Sequence, residues 1–510
     1  MKIYGKYLLL AAMAGASTAA FAQDSYDAET FSSSDLNGTA RFVAMGGALG
    51  ALGGDLSVMS TNPAGTAMYR RGDVSFTASG LFGNKGQLGF DSSKMSLDQG
   101  GIVFTFEENG TSKGLQFINF GINYQKKKNF FANIGTEVEN LNGNLSQTFQ
   151  IADLANDNVY YGSDPWGTLA DLSAESKKHD GILYHFDMDE DGELDKYFGV
   201  GAKSADYKSH TYGATTQEDV NLSFNVSNQF FYGLSLGVYD LERNRESRYS
   251  EVGMDGYGYQ INSWYKTSGD GFDVKLGFIC RPIEESSFRF GVTVHTPTFY
   301  NMTDANGATI YYPTNSSYSL DNGNYDYKFR TPWKFGVNLG HTVGDNLAIG
   351  AEWEYQDLST THYSDIDGYS NEYFESVNEY TKETLKGQHT FKVGLEYKPI
   401  DDFSLRAGYN LVTSPFKDKA FRTLTFDGPY TETAFTNWGA TNRFTFGLGY
   451  KFKGGYFDVA YQYQMVKGDF YAFDNYAEDI TGNAISEYSL SPTKINNNRS
   501  QLMATIGFRF

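Results

Sequence analysis

The sequence predicts an all-β protein: a transmembrane antiparallel β-barrel of about fourteen strands, with a small N-terminal hatch in its lumen. Three observations lead there. Apolar and polar residues alternate in run after run to the last residue. The composition is rich in Gly (56), Phe (40) and Tyr (38) but holds only 10 Pro, which suits one large β structure. The chain also begins as exported proteins do.

The beginning sets the compartment. Lys2 and Lys6 precede an apolar run from Tyr7 to Ala16, and Ala20-Phe21-Ala22 forms a small-residue cleavage site before Gln23. This pattern reads as a signal peptide over 1–22. No later apolar run approaches the roughly 20 residues that a spanning helix needs. Any membrane crossing therefore falls to strands. Cys280 is the only cysteine, so no disulfide can form within the chain. It reads as a buried or lipid-facing apolar residue.

Next comes 23–72, read as the hatch. Its Gly- and Ala-rich centre, Gly38 to Gly65, places Gly46, Gly47, Gly50, Gly53 and Gly54 close together. Their spacing is not that of a nucleotide loop, and no βαβ unit follows. Small residues here let a compact segment pack inside a lumen. Met45, Gly46, Gly47, Asn62, Pro63, Ala64 and Gly65 are the candidate gate residues.

The barrel occupies 73–510. Period-2 alternation places Leu502, Ala504, Ile506, Phe508 and Phe510 on one face and Gln501, Met503, Thr505, Gly507 and Arg509 on the other. The same reading gives strands at 73–83, 99–107, 115–126, 216–227, 230–248, 257–280, 287–300, 325–341, 346–358, 387–398, 403–414, 440–452, 456–468 and 499–510. The sixth carries a predicted kink at Ser268-Gly269-Asp270-Gly271. The face opposite the apolar one carries charge and glycine together (Lys275, Arg289, Lys392, Glu396, Arg406), as a lumen would. Short connections such as Val226–Gln229 and Lys453–Gly455 alternate with long polar ones, the largest over 127–215. That asymmetry and the even count place both chain ends at one rim.

Charge and motifs narrow the function. A net charge of −20 disfavours nucleic acid as a partner. Gly233-Leu234-Ser235-Leu236-Gly237 spells a hydrolase pattern, but it lies within an alternating strand, where a nucleophile elbow cannot form. The seven His are scattered, so the chain reads as a non-enzyme. Asp187, Asp189, Asp191 and Asp195, with Gly192 between, follow the start of a Ca²⁺ loop, although position 12 is Phe198 and not Glu. The acids read first as a solvated loop and second as a Ca²⁺ site, the one cofactor the sequence suggests, and none is required.

Several motifs together resemble the long-chain fatty acid outer-membrane transporter family (FadL/TodX type), in its Bacteroidetes-like branch. Ala40-Arg41, Met45-Gly46-Gly47-Ala48 and Asn62-Pro63-Ala64-Gly65 are similar to the family hatch. Arg330-Thr331-Pro332-Trp333-Lys334-Phe335-Gly336, Leu405-Arg406-Ala407-Gly408-Tyr409 and Asp458-Val459-Ala460-Tyr461 resemble its later strands. The resemblance implies a fourteen-stranded barrel in the outer membrane, in contact with lipid and lipopolysaccharide. It further implies a monomer that takes up fatty acid-like or aromatic molecules passively, with the hatch as gate. In that reading Trp166, Trp264, Tyr311, Tyr312 and Phe473 would capture the solute. The long second loop and the acidic stretch depart from the family. They leave open an anchor that docks secreted proteins or lipids, or a hemin-binding receptor.

Overall fold

The computed structural model describes residues 24–108, 114–139, 141, 143, 145–158, 184–186, 196–311, 317–418, 420–422, 432–473 and 490–510. The predicted signal peptide and the Asp187–Asp195 acids lie outside them.

Fourteen antiparallel strands close into one barrel. In chain order they are β1 (Asp73–Phe82), β2 (Ser93–Glu107), β3 (Leu115–Asn129, continued by Ala132–Glu137), β4 (Ala202–Val226), β5 (Phe230–Gly253) and β6 (Gly258–Cys280). Then follow β7 (Arg289–His295 and Phe299–Tyr311), β8 (Ser317–Arg330 and Lys334–Val343) and β9 (Leu347–Asp357 and His362–Asp365). The wall ends with β10 (Gly387–Ile400), β11 (Phe403–Val412), β12 (Thr441–Phe452), β13 (Gly455–Met465) and β14 (Arg499–Arg509). Each pairs with its neighbour in sequence, and β14 returns to β1 with Asp73 opposite Arg509 and Phe82 opposite Ser500. The wall is thereby closed on itself, as a strand structure in lipid requires.

Side-chain alternation explains why these runs make a wall and not a sandwich. Along β14, Leu502, Ile506 and Phe508 are exposed, while Gln501, Met503 and Thr505 are buried. The apolar face points out and the polar face in, the reverse of a soluble core. The same outward lane holds Phe444, Phe446, Leu448 and Tyr450 on β12, and Leu234, Leu236 and Val238 on β5. This belt is the surface that meets lipid. Among the described residues no helix is long and apolar enough to cross a membrane.

Short turns gather at one rim. Ser227 and Asn228 both have positive φ (56° and 54°), which suits a primed turn between twisted strands. Lys453-Gly454 joins β12 to β13, with Gly454 at φ 82°. At the opposite rim the connections are long and fold over the mouth. There the helix α1 (Ser25–Ser32) of the N-terminal segment meets a later helix over Glu372–Thr384 in an apolar cluster with Phe31, Phe329, Tyr363 and Phe374. A second cluster joins Tyr207, Tyr249, Tyr259, Phe470 and Phe473.

Two expectations need correction. β6 runs unbroken through Ser268–Gly271. A Cβ at Gly269 would collide with Met302, and one at Gly271 would stand 2.6 Å from Tyr300, so these glycines are slots for β7 side chains. The breaks fall instead in β3, β7, β8 and β9, two of them at Pro297 and Pro332, which cannot donate to a ladder. The second long connection is also shorter than 127–215, because β3 continues to Glu137 and β4 begins at Ala202.

Candidate functional site

The hatch enters the lumen a few residues above the short-turn rim. Its first turn, α2 (Ala40–Ala44), is capped by Thr39, whose hydroxyl accepts from the Phe42 amide. Two 3-10 turns follow, Leu56–Ser60 behind Asp55 and Pro63–Met68 behind Asn62. Each cap oxygen takes an amide that the turn itself cannot satisfy. Pro63 opens the second turn, where its missing N–H costs nothing. Asn62 works in two directions: its Oδ1 accepts from the Ala64 amide at 3.1 Å, and its Nδ2 donates to Asn338 Oδ1 of β8 at 2.8 Å.

The wall is shaped to receive this segment. Each strand from β5 to β12 turns a glycine toward the hatch: Gly233, Gly277, Gly291, Gly340, Gly350, Gly394, Gly408 and Gly447. A Cβ at Gly340 would lie 3.1 Å from the Ala51 carbonyl carbon, and one at Gly350 or Gly394 would overlap the carbonyl oxygen of Ala48 or Met45. The hatch therefore rests on wall backbone along more than half the circumference. Gly46 answers from the hatch side: its φ is +63°, and a Cβ there would stand 2.9 Å from the Tyr409 amide.

Charged groups pin the seat. Arg41 holds Glu396 at 3.0 Å and the Gly54 carbonyl at 2.9 Å. Arg406 bridges Glu396 (2.7 Å) and Asp458 (2.5 Å) behind it. Glu352 accepts from the Gly50 amide and pairs with Lys392. Arg289 donates to the Leu52 carbonyl at 2.9 Å, and His295 Nε2 bonds the Thr61 carbonyl at 2.8 Å.

The segment before the hatch climbs the lumen toward the long-loop end and forms a strap. Asp24 pairs with Arg422 at 2.7 Å, Asp27 with Arg243 at 3.1 Å, and Asp35 with Arg499 at 2.8 Å and Arg443 at 3.5 Å. Tyr26 stacks on Phe416 and donates to Asn437. Burial alone would push the Asp35 carboxyl up; Arg499 and Arg443 outweigh it and hold it below the usual carboxylate range. Between strap and hatch lies a cavity of about 350 Å³. Gln125, Lys127, Tyr239, Asp273, Lys275, Lys334 and Glu354 line it, so its floor is polar and charged.

All seven predicted gate residues thus lie in one layer against the wall, and Met45, Asn62 and Ala64 are fully buried. The four acids of the expected Ca²⁺ loop lie outside the described residues, and among the described residues no cluster of three or more His, Cys, Asp or Glu could hold a metal ion. Ser235 is a buried wall residue that accepts from Asn221 at 2.9 Å. Trp264 and Tyr311 are exposed on the outward lanes of β6 and β7, and Phe473 is buried in an apolar cluster. Trp166 and Tyr312 lie outside the described residues. Sequence reading missed the strap and its arginines. Their signal was faint: charged residues at inward positions of strands and in loops, with no hint of their partner across the lumen.

Fold and site define a class: an outer-membrane-type β-barrel closed by an N-terminal hatch. Solved structures share this fold. A FadL homologue of Pseudomonas aeruginosa matches with a TM-score of 0.51 at 13% identity, over 94% of this chain and 100% of that one. The P. putida toluene transporter TodX matches at 0.49 with 12% identity, over 93% of this chain and 99% of that one. The Ralstonia pickettii toluene transporter TbuX matches at 0.48 with 12% identity, over the same shares. No family model and no curated protein matches the chain.

Proposed function

We propose that this barrel is an outer-membrane channel for passive uptake of small hydrophobic molecules, fatty acid-like or aromatic, with the hatch as its gate. One observation carries the reading: the lumen holds a cavity of about 350 Å³ between the strap and a separately capped segment packed against the wall. A gate is useful only where something must pass. The apolar clusters at the mouth are packed shut in this state; parting them would expose surface on which a hydrophobic solute loses contact with water, at about 0.8 kcal/mol per CH₂ buried. A solved structure of the same fold is described as a FadL homologue, which fits this reading.

Locking the hatch tests the proposal. A Cβ at Gly447 would stand 2.5 Å from the Ala44 Cβ, so a small outward shift brings a cysteine pair to the roughly 3.5–4.5 Å that a disulfide needs. In a Cys280→Ser background, Ala44→Cys/Gly447→Cys should take up radiolabelled oleate or toluene only after reduction. Equal uptake by the oxidised and reduced forms would remove the hatch from the transport path.

A further inference from the structure

We propose that the strip of wall on β2, β3 and β4 facing the hatch binds a row of small polar molecules, ordered water in the resting protein, and forms a hydrophilic seam between hatch and barrel. The proposal stands apart from the identity of any transported ligand.

The strip belongs to the same ring as the glycine seat. In register, Thr105 faces Asn119, Asn119 faces Ser223, Ser223 faces Gly233 and Gly233 faces Gly277. On β5 and β6 the ring is glycine pressed by Asn62, Pro63 and Ala64. On β2 to β4 it is hydroxyl and amide. Both side-chain polar atoms of Asn119 are buried without a hydrogen-bond partner, as are Thr105 Oγ1, Ser223 Oγ and Asn221 Oδ1. Thr66 Oγ1, on the hatch turn that rests against β4, is in the same condition. Scattered orphans of this kind are rare in folded proteins. A cluster of them in one row is the setting in which buried water is found, each molecule making about three hydrogen bonds to such groups.

Dry contacts bracket the strip. On one flank Leu56, Met59 and Tyr69 meet Val103; on the other Ala64 and Ala67 meet Phe231 and Ile279. The strip is continuous along the barrel axis as well. Every inward position of β4 from the cavity to the rim is polar: Gln217, Asp219, Asn221, Ser223 and Asn225. Gln217 lines the cavity. At the lower end Asn225 donates to Asn228, which also receives an exposed hydrogen bond from Arg70. At the level of the ring, glycine contacts bring the hatch against the wall from β5 to β12, so the seam is the hydrated side of that ring.

Cysteine accessibility tests this on the full-length barrel in vesicles. In the Cys280→Ser background, Ser223→Cys places a thiol in the seam with little change of volume, and Ile279→Cys places one in the dry flank. A small charged methanethiosulfonate should modify the first on the order of tenfold faster than the second, because a thiol walled in by apolar groups is inert. Adding Asn119→Leu, which fills the row with apolar bulk, should slow modification of the Ser223→Cys thiol severalfold. Equal rates at the two sites, or a rate indifferent to Asn119→Leu, would overturn the seam.

Discussion

Asn62 shows how one side chain sets the closed state. It caps its own turn through Oδ1 and ties that turn to β8 through Nδ2. Asn62→Ala removes both, at a cost typical of a lost cap, about 1 kcal/mol, with Asn338 left to find another partner. Hydrogen exchange at the Ala64 amide should therefore quicken several-fold while exchange in β8 stays unchanged. An Ala64 amide as protected as in the wild type would mean that the glycine seat alone holds the hatch. The Asn62-Pro63-Ala64-Gly65 motif was legible through its resemblance to a family hatch; the tie from Asn62 to Asn338 was not, because that partner lies 276 residues away on β8. The glycine seat was half legible. Gly and charge on inward lanes marked a lumen, but which glycine meets which hatch atom depends on the radius and register of the closed wall.

At the level of elements, the strands were the most legible feature. Alternation has a period of two whatever the surroundings, so it finds all fourteen wall strands, although β4 begins at Ala202 and not at 216, and β7 runs on to Tyr311 and not 300. The breaks were not legible. The Ser268–Gly271 stretch reads as a kink until β7 is beside it and fills the missing Cβ positions with Tyr300 and Met302. The strap lies beyond sequence reading for another reason: Asp24, Asp27 and Asp35 each meet a cation from a distant wall strand or loop. Its docking should depend on pH. Asp35 has its carboxyl held down in the folded state, chiefly by Arg499 and then Arg443 against the effect of burial. Such a group adds stability above its unfolded value, about 3.9, and loses it as pH falls through the lower folded one. Asp35→Asn should thus raise hydrogen exchange in α1 at pH 7, and the difference from wild type should fade as pH falls below about 4. Equal exchange in the two proteins at pH 7 would assign the strap to the ring contacts of Tyr26 with Phe416 and Phe435.

The whole molecule is a tall wall with a narrow belt. A strand crosses a bilayer in about 9–11 residues, yet β4, β5 and β6 are 25, 24 and 23 residues long. The outward lane of β5 marks where lipid ends: Leu234, Leu236 and Val238 are exposed apolar residues, and Asp240 and Glu242 follow them in the same lane. Above that line the strands run on as a polar palisade around the strap, which is why the mouth can carry two apolar clusters without exposing them to the bilayer. Two substitutions in this one lane should therefore differ sharply. Leu236→Arg sets a guanidinium in the hydrocarbon and should cost about 2–4 kcal/mol at mid-membrane depth, where Glu242→Arg should stay within about 0.5 kcal/mol. Urea unfolding from lipid vesicles reads both. Equal costs would place the belt elsewhere on β5, and with it the height of the hatch, the cavity and the seam relative to the membrane.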